Sequence, residues 1–484
     1  MSDRPNLLLV CTDHWPGRLF GHRGRDDILT PTFDELARCG TVFTRAYSEC
    51  PVCIPARRTL MTGTTPATHG DRVYSDRMTM PELPTLAGCF RDAGYQAQAI
   101  GKLHVYPQRD RIGFDDCLIS EEGRMQFGVQ DDYESWLVEQ GFPGEYFGHG
   151  MGNNQYHVAP WHLPEHTHVT NWATRTCCKA IKRRDPTRPG FWYLGYVHPH
   201  PPLVPPASYL ELYRDWADPG AAAGDWSAEA AALPPALWAR RQHFDQVMQP
   251  TVAALARRAF RALCTHIDHQ LRLVIGTLRE EGLLQNTIIC LLADHGDMLG
   301  DHGIWGKRLF YEPSSNVPCI LTGGGCDRLR HGVEDDRLVG LQDIMPTLLD
   351  AAGIAVPESV EGRSLLTDDR RDELFGEIGE GGETTRMLHD GRYKLIWYAA
   401  GNVVQLFDIV DDPDERVDLS ASPEHRPIRD RLSRRLVHYL HDGDEGYVDQ
   451  DGQLVGTPAP ESVPAMAQVG LAGQRGIHHP PPGW

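Results

Sequence analysis

Asn6 to His14 reads NLLLVCTDH, a short apolar run from Asn6 to Cys11 that breaks at Thr12 into the polar pair Asp13 and His14. This is the pattern of a buried strand that delivers polar residues at its carboxyl end. It returns three times. Tyr95 to Ile100 (YQAQAI) leads into Gly101, Lys102, Leu103 and His104, and Phe191 to Val197 (FWYLGYV) leads into His198, Pro199 and His200. Thr287 to Ala293 (TIICLLA) leads into Asp294, His295 and Gly296. Helical patterns lie between these runs, at Thr32 to Cys39, Leu83 to Ala93 and Val252 to Glu281, the last with Leu255, Phe260, Leu263 and Ile267 at helical spacing. Strands alternating with helices predict an α/β fold with a large, mostly parallel sheet sandwiched by helices. Ligands bind such sheets beyond the carboxyl ends of the strands, where all four polar clusters fall, so segments far apart in sequence are expected to meet at one site.

At 484 residues the chain has room for this core and a smaller appended unit. The texture changes near Asp369. Arg386 to Tyr398 (RMLHDGRYKLIWY) and Val403 to Ile409 (VVQLFDI) read as antiparallel strands, followed by a helix near Pro427 to Leu440. The expected division is a catalytic α/β domain over 1–368, a C-terminal α+β subdomain with a small antiparallel sheet over 369–441, and an extended tail over 442–484. The tail is rich in Gly, Pro and Gln and is expected to lack its own core. It is the candidate contact with a neighbouring subunit in a homo-oligomer. Glu121 to Pro189, rich in His, Asn and Gly and poor in periodicity, is expected to form long loops over the pocket.

A formal net charge of −19 argues against nucleic acid, which needs clustered Lys and Arg on the contacting face. No apolar run approaches the roughly 20 residues that span a bilayer, so no membrane partner is expected. Met1 to Asn6 runs straight into the first strand, with no signal peptide to read. Twelve cysteines without secretory context point to reduced thiols and a cytoplasmic location. An anionic substrate would be repelled at long range, so binding one requires a compact knot of positive charge inside the pocket.

Cys53, Ile54, Pro55, Ala56 and Arg57 form a CxPxR string that continues through Leu60, Met61, Thr62 and Gly63, with His69 and Gly70 beyond. Pro55 suits the first turn of a helix, which would set Cys53 at an amino terminus where unpaired N–H groups and the dipole favour an anion. Cys50 and Cys53 also make a CxxC pair, but no second CxxC or nearby His pair completes a zinc site. The CxPxR segment resembles the signature of the formylglycine-dependent (type I) sulfatases of the alkaline phosphatase superfamily. The likeness extends over roughly Asn6 to Leu440, near the arylsulfatase, choline sulfatase and phosphonate monoester hydrolase group.

The resemblance implies an alkaline phosphatase-like fold and metal-dependent hydrolysis of a small anionic sulfate ester to alcohol and inorganic sulfate. It implies that Cys53 is oxidised by a formylglycine-generating enzyme to an aldehyde, whose hydrate supplies the attacking oxygen and expels sulfate by C–O cleavage. Arg57 would hold and polarise that group. Asp13 and His14 with Asp294 and His295 match the two metal-ligand pairs, completed by the oxidised Cys53. Calcium is the family default, and two imidazoles tilt the balance toward manganese. Lys102 and His104 match the Lys-x-His element, Lys102 to bridge nucleophile and sulfate and His104 to accept the proton when the aldehyde reforms. His200 and Lys307 would hold the sulfate and protonate the leaving alcohol.

The positive knot is thereby supplied: Arg57, Lys102, Lys307 and a metal ion. An opposite charge at about 4 Å contributes about 4 kcal/mol at an effective dielectric of about 20, enough to outweigh a diffuse surface field screened by salt. Asn153, Asn154, His157, His162, His166 and His168 are candidate substrate contacts, and equally ordinary solvated loop residues. Two other functions compete. A phosphonate monoester or phosphodiester hydrolase on the same scaffold shares the Asp-His pair but usually replaces the Lys-x-His element, which is intact here. A non-catalytic relative would have lost site residues, and none is missing.

Overall fold

The apolar run at the start of the chain forms β1 (Asn6–Thr12), buried along its whole length. In the computed structural model, which describes residues 4–123, 131–228, 233–441, 443–459 and 474–479, β1 lies inside an eight-stranded sheet. The other strands are β2 (Thr41–Tyr47), β3 (Gln96–Gly101), β4 (Asp116–Ile119), β5 (Gly190–Gly195), β6 (Thr287–Ala293), β7 (Cys319–Gly323) and β8 (Val333–Gly340). Their order is β4-β3-β5-β1-β6-β7-β2-β8, with β7 alone antiparallel to its neighbours.

The register is what matters for function. Thr12 stands opposite Ala293, Cys11 opposite Gly195, Gly195 opposite Gly101 and Gly101 opposite Ile119. Five adjacent parallel strands therefore end at one level and release their following residues into one space. Gly101 makes this closeness possible: its φ is +92°, and a Cβ there would lie 2.0 Å from the carbonyl oxygen of Gly195. No L side chain fits that approach.

Helices cover both faces of the sheet, as the alternating pattern requires. The longest, Pro250–Glu280, buries Phe260, Leu263, Ile267, Leu271 and Val274. Glu121 to Pro189 is not the run of loops expected from its texture. It contains the helices Asp132–Glu139 and Val169–Lys182. The second packs on Pro250–Glu280 through Trp172, Ala173, Cys177 and Ile181. Its buried face also carries Thr170, Asn171 and Thr174, which blur the apolar period.

A second sheet of four antiparallel strands has the order β12-β11-β10-β9, from β9 (Leu374–Ile378), β10 (Thr385–His389), β11 (Tyr393–Tyr398) and β12 (Val403–Asp408). The helix Arg426–Val437 supplies Leu432 and Leu436 to its core, where Trp397 and Tyr447 also lie. Residues just past position 442 thus borrow the core of this sheet. Arg475 and His478 donate backbone hydrogen bonds to Gly150 and Gly144 of the larger unit. Asp442, residues 460–473 and residues 480–484 of the expected tail lie outside the described residues. Among the described residues, no helix is long and apolar enough to cross a membrane.

Candidate active site

The level strand ends gather the polar clusters. β1 releases Asp13 and His14, β3 releases Lys102 and His104, β5 releases His198 and His200, and β6 releases Asp294 and His295. Cys53 arrives from another direction, as the first residue of the helix Cys53–Thr62. That helix is buried throughout, and Val52 before it is extended, so Cys53 sits where the free N–H groups of the first turn point.

Cys53 Sγ is the hub. It lies 2.8 Å from Lys307 Nζ, 3.3 Å from His295 Nε2 and 3.7 Å from Asp13 Oδ1. Ligand-type atoms of Asp13, Cys53, Asp294 and His295 all fall within 4.8 Å of one another, and so do those of Asp13, His14, Cys53 and His200. Arg57, one turn along the helix, donates to Asp294 Oδ2 (2.9 Å), the carbonyl of Lys102 (2.9 Å) and the hydroxyl of Tyr193 (2.6 Å). Its Nη2 remains buried without a hydrogen-bond partner. Lys102 Nζ is clamped between Asp13 and Glu122. Asp13, His14, Cys53, Arg57, Lys102, His104, His200, Asp294 and His295 are each at most 3% exposed, whereas Lys307 is only partly buried. The ten residues expected from sequence are therefore one cluster, with Lys307 its least buried member.

Both metal-pair imidazoles aim the same way. His14 donates through Nδ1 to Asp297 Oδ2 (2.8 Å) and His295 through Nδ1 to the carbonyl of Gly296 (2.9 Å). Those bonds fix the tautomers and turn both Nε2 atoms inward as acceptors. His14 Nε2 is buried without a hydrogen-bond partner. Two facing carboxylates and two inward imidazole nitrogens, one of them without a hydrogen-bond partner, form a donor set that fits a divalent cation. His14 and His104 hold φ of +70° and +62°, backbone strain of about 1–3 kcal/mol each that the surrounding structure offsets.

The electrostatics follow from burial and close charges. Burial would raise the pKa of Cys53, yet Lys307, Lys102 and His295 bring it well below the usual thiol value. Burial and the charge of Asp13 push Asp294 up, the behaviour of two carboxylates that share one small volume. Burial disfavours a charged Lys102, but Asp13 and Glu122 overcome it and keep the ammonium protonated. His200 is driven well below the usual imidazole value by its burial. Its Nδ1 is spent on the carbonyl of Pro201 (2.6 Å), and its Nε2 is buried and unpartnered.

Several further residues shape the site. Glu121 and Glu122 follow β4 just as Asp13 follows β1, and Glu121 accepts the backbone N–H of Leu103 (2.9 Å) and His104 (2.8 Å). Tyr193 looks like one more core aromatic of β5, though its hydroxyl braces Arg57. Asp297 anchors both His14 and Tyr156. Of the six loop residues considered as substrate contacts, only Asn153 lines the small cavity beside His200 and Glu122. Asn154, His157 and His166 are exposed, His162 bonds the carbonyl of Glu145, and His168 caps the helix Val169–Lys182.

The sequence profile described as Sulfatase matches residues 5–354, and that described as N-sulphoglucosamine sulphohydrolase, C-terminal, matches residues 300–442. An arylsulfatase of Clostridium perfringens is 34% identical over 477 residues, which is 94% of this chain and 98% of that protein. A choline-sulfatase of Rhizobium meliloti is 28% identical over 454 residues, 87% of this chain and 83% of that one. Among solved structures, the phosphonate monoester hydrolase of Agrobacterium radiobacter superimposes with a TM-score of 0.78 over 94% of this chain and 100% of that one. At 22% identity that last likeness speaks of the fold alone.

Proposed function

Because the chain belongs to the sulfatase family of the alkaline phosphatase superfamily, and so to the sulfuric ester hydrolases, we propose that it cleaves a sulfate ester through Cys53 matured to formylglycine. The observation that carries this reading is the place of Cys53 Sγ, 2.8 Å from Lys307 Nζ and within ligand distance of Asp13, Asp294 and His295. An oxidisable side chain at a helix amino terminus, ringed by cations and metal-type donors, suits attack on a tetrahedral anion.

The hydrated formylglycine supplies an oxygen nucleophile and a second hydroxyl whose deprotonation releases sulfate. Asp13, His14, Asp294 and His295, with the group at position 53, would hold a divalent ion, calcium or manganese, whose charge would ease loss of a proton from the nucleophile and offset charge on the sulfuryl oxygens. The protein's own groups do the positioning. Arg57, fixed by Asp294 and Tyr193, keeps one N–H pair for the group at position 53. Lys102 reaches the sulfate side of that group, and His104 takes its proton. Lys307 and His200 hold the sulfate, and Lys307, on the solvent side, donates to the leaving alcohol. The formylglycine-generating enzyme is the implied maturation partner. Twelve unpaired thiols suit a reducing compartment, the cytoplasm, and the C-terminal tail is the surface proposed for any homo-oligomer.

A phosphonate monoester or phosphodiester hydrolase is the alternative, and the intact Lys102 and His104 favour sulfate over it. Matured enzyme is expected to turn over 4-nitrophenyl sulfate with a higher kcat/KM than a phenyl phosphonate monoester. Faster phosphonate cleavage reverses the assignment. The bond from Asp297 to His14 makes a second prediction. Asp297→Asn should weaken the divalent ion or lower kcat/KM about ten- to a hundredfold, and titrating activity against manganese separates the two effects.

A further inference from the structure

Lys307 is the least buried of the ten site residues, and the residue after it is unusual. Arg308 has a φ of +73°, and Tyr74, which faces it, has a φ of +81°; both are non-glycine residues held in the left-handed region. Such outliers persist only where the surroundings impose them, and they concentrate at ligand-binding positions. The Arg308 guanidinium lies 5.5 Å from the centre of the Tyr74 ring, and that ring lies 6.3 Å from the ring of His104 in the site. Arg308, Tyr74 and His104 thus form a line from the partly buried rim to the buried centre.

Arg308 has no directly paired acid among the described residues. Among the described residues the Arg308 guanidinium makes no hydrogen bond or ion pair, and its backbone N–H is spent on the carbonyl of Pro51. Arg240 reaches in from the helix Pro235–Val247 and donates to the carbonyl of Lys307 (2.7 Å), which places a second guanidinium beside the first. Burial and the charge of Arg308 bring Arg240 down to about 10, with the exposed Glu383 the acid that acts on it. The carboxylate of Asp71 accepts the backbone N–H groups of Val73, Tyr74 and Ser75 and so fixes the turn that presents Tyr74. Like charges held close together are costly, and a bound anion relieves that cost.

We propose that Arg308, stacked on Tyr74 and backed by Arg240, is a second anion subsite, so that the preferred sulfate esters carry a carboxylate or another oxyanion on the alcohol half. A planar guanidinium over an aromatic face binds such a group bidentately, and Tyr74 offers its ring to the connecting carbon skeleton. This inference rests on the sulfatase reading and narrows its substrate class.

The test compares kcat/KM for 4-nitrophenyl sulfate and for meta- and para-carboxyphenyl sulfate in matured wild-type enzyme, Arg308→Gln and Arg308→Lys. A charge-assisted pair predicts that Arg308→Gln loses about ten- to a hundredfold on a carboxylated ester. The same change should leave 4-nitrophenyl sulfate, whose alcohol half is uncharged, almost untouched, and Arg308→Lys should recover part of the loss. Equal losses on all three esters, or no change on any, overturn the subsite while leaving the sulfatase reading standing. Absence of turnover on every sulfate ester by wild-type enzyme is instead the failure of the sulfatase reading itself.

Discussion

Replacing Cys53 with alanine is expected to abolish turnover while leaving the fold in place. The nucleophile's precursor disappears, and loss of a nucleophile that acts as a unit with its neighbours costs on the order of a millionfold in kcat. The structural cost is small by comparison. Only one sulfur atom leaves a buried position, which costs about 1 kcal/mol against a total stability of about 5–15 kcal/mol. Cys50 provides the control. It is equally buried, but its Sγ lies against the carbonyl of Arg72 in the apolar cluster shared with the small sheet, away from Lys307. Cys50→Ala should therefore keep activity near wild type. The pair of variants also decides the CxxC reading, because a redox or zinc pair would suffer from loss of either cysteine. Steady-state kinetics and thermal unfolding of both variants are the measurements. A Cys53→Ala enzyme that retains most of its activity means the nucleophile is elsewhere.

Removal of the divalent ion is expected to have the second largest effect. Asp13 and Asp294 face each other in a buried space, and without a cation their repulsion falls on Arg57, Lys102, His295 and Lys307, groups that are needed around the nucleophile. Chelation should lower kcat by about a thousandfold or more, the equivalent of several kcal/mol of charge stabilisation. Manganese or calcium should restore it. Elemental analysis should find about one divalent ion per chain in active enzyme and less in Asp13→Asn, in keeping with one site built on Asp13, His14, Asp294, His295 and the group at position 53. Full activity in metal-free protein contradicts the assignment.

Much of this site was legible before any coordinates, for a physical reason. Buried parallel strands are short apolar runs, and whatever polar residues follow them are forced toward the carboxyl edge. Asp13, Lys102, His200 and Asp294 are conspicuous because each follows such a run. The CxPxR string added Cys53 and Arg57, and its likeness to a known family assigned their roles. The same rule should have reached Glu121 and Glu122, but β4 has only four residues and alternates exposed with buried positions at the sheet edge. It carries no apolar run to notice. Tyr193 was hidden for the opposite reason, since a buried tyrosine within a strand reads as core until its hydroxyl is seen against Arg57. Strand order is not written locally either. That β1 lies between β5 and β6 is a matter of pairing across nearly two hundred residues or more, which no window of sequence contains. Arg308 and Tyr74 are separated by more than two hundred residues as well, and neither stands out until their backbones are seen in the left-handed region.

The central claim is that the side chain at position 53 is made into an aldehyde so that it can attack a sulfate ester. Mass spectrometry of the peptide containing position 53, from protein produced alongside a formylglycine-generating enzyme, tests this directly. The account predicts a peptide lighter than the cysteine form by the exchange of one sulfur and two hydrogens for one oxygen. An unmodified cysteine in protein that hydrolyses sulfate esters at full rate would contradict it.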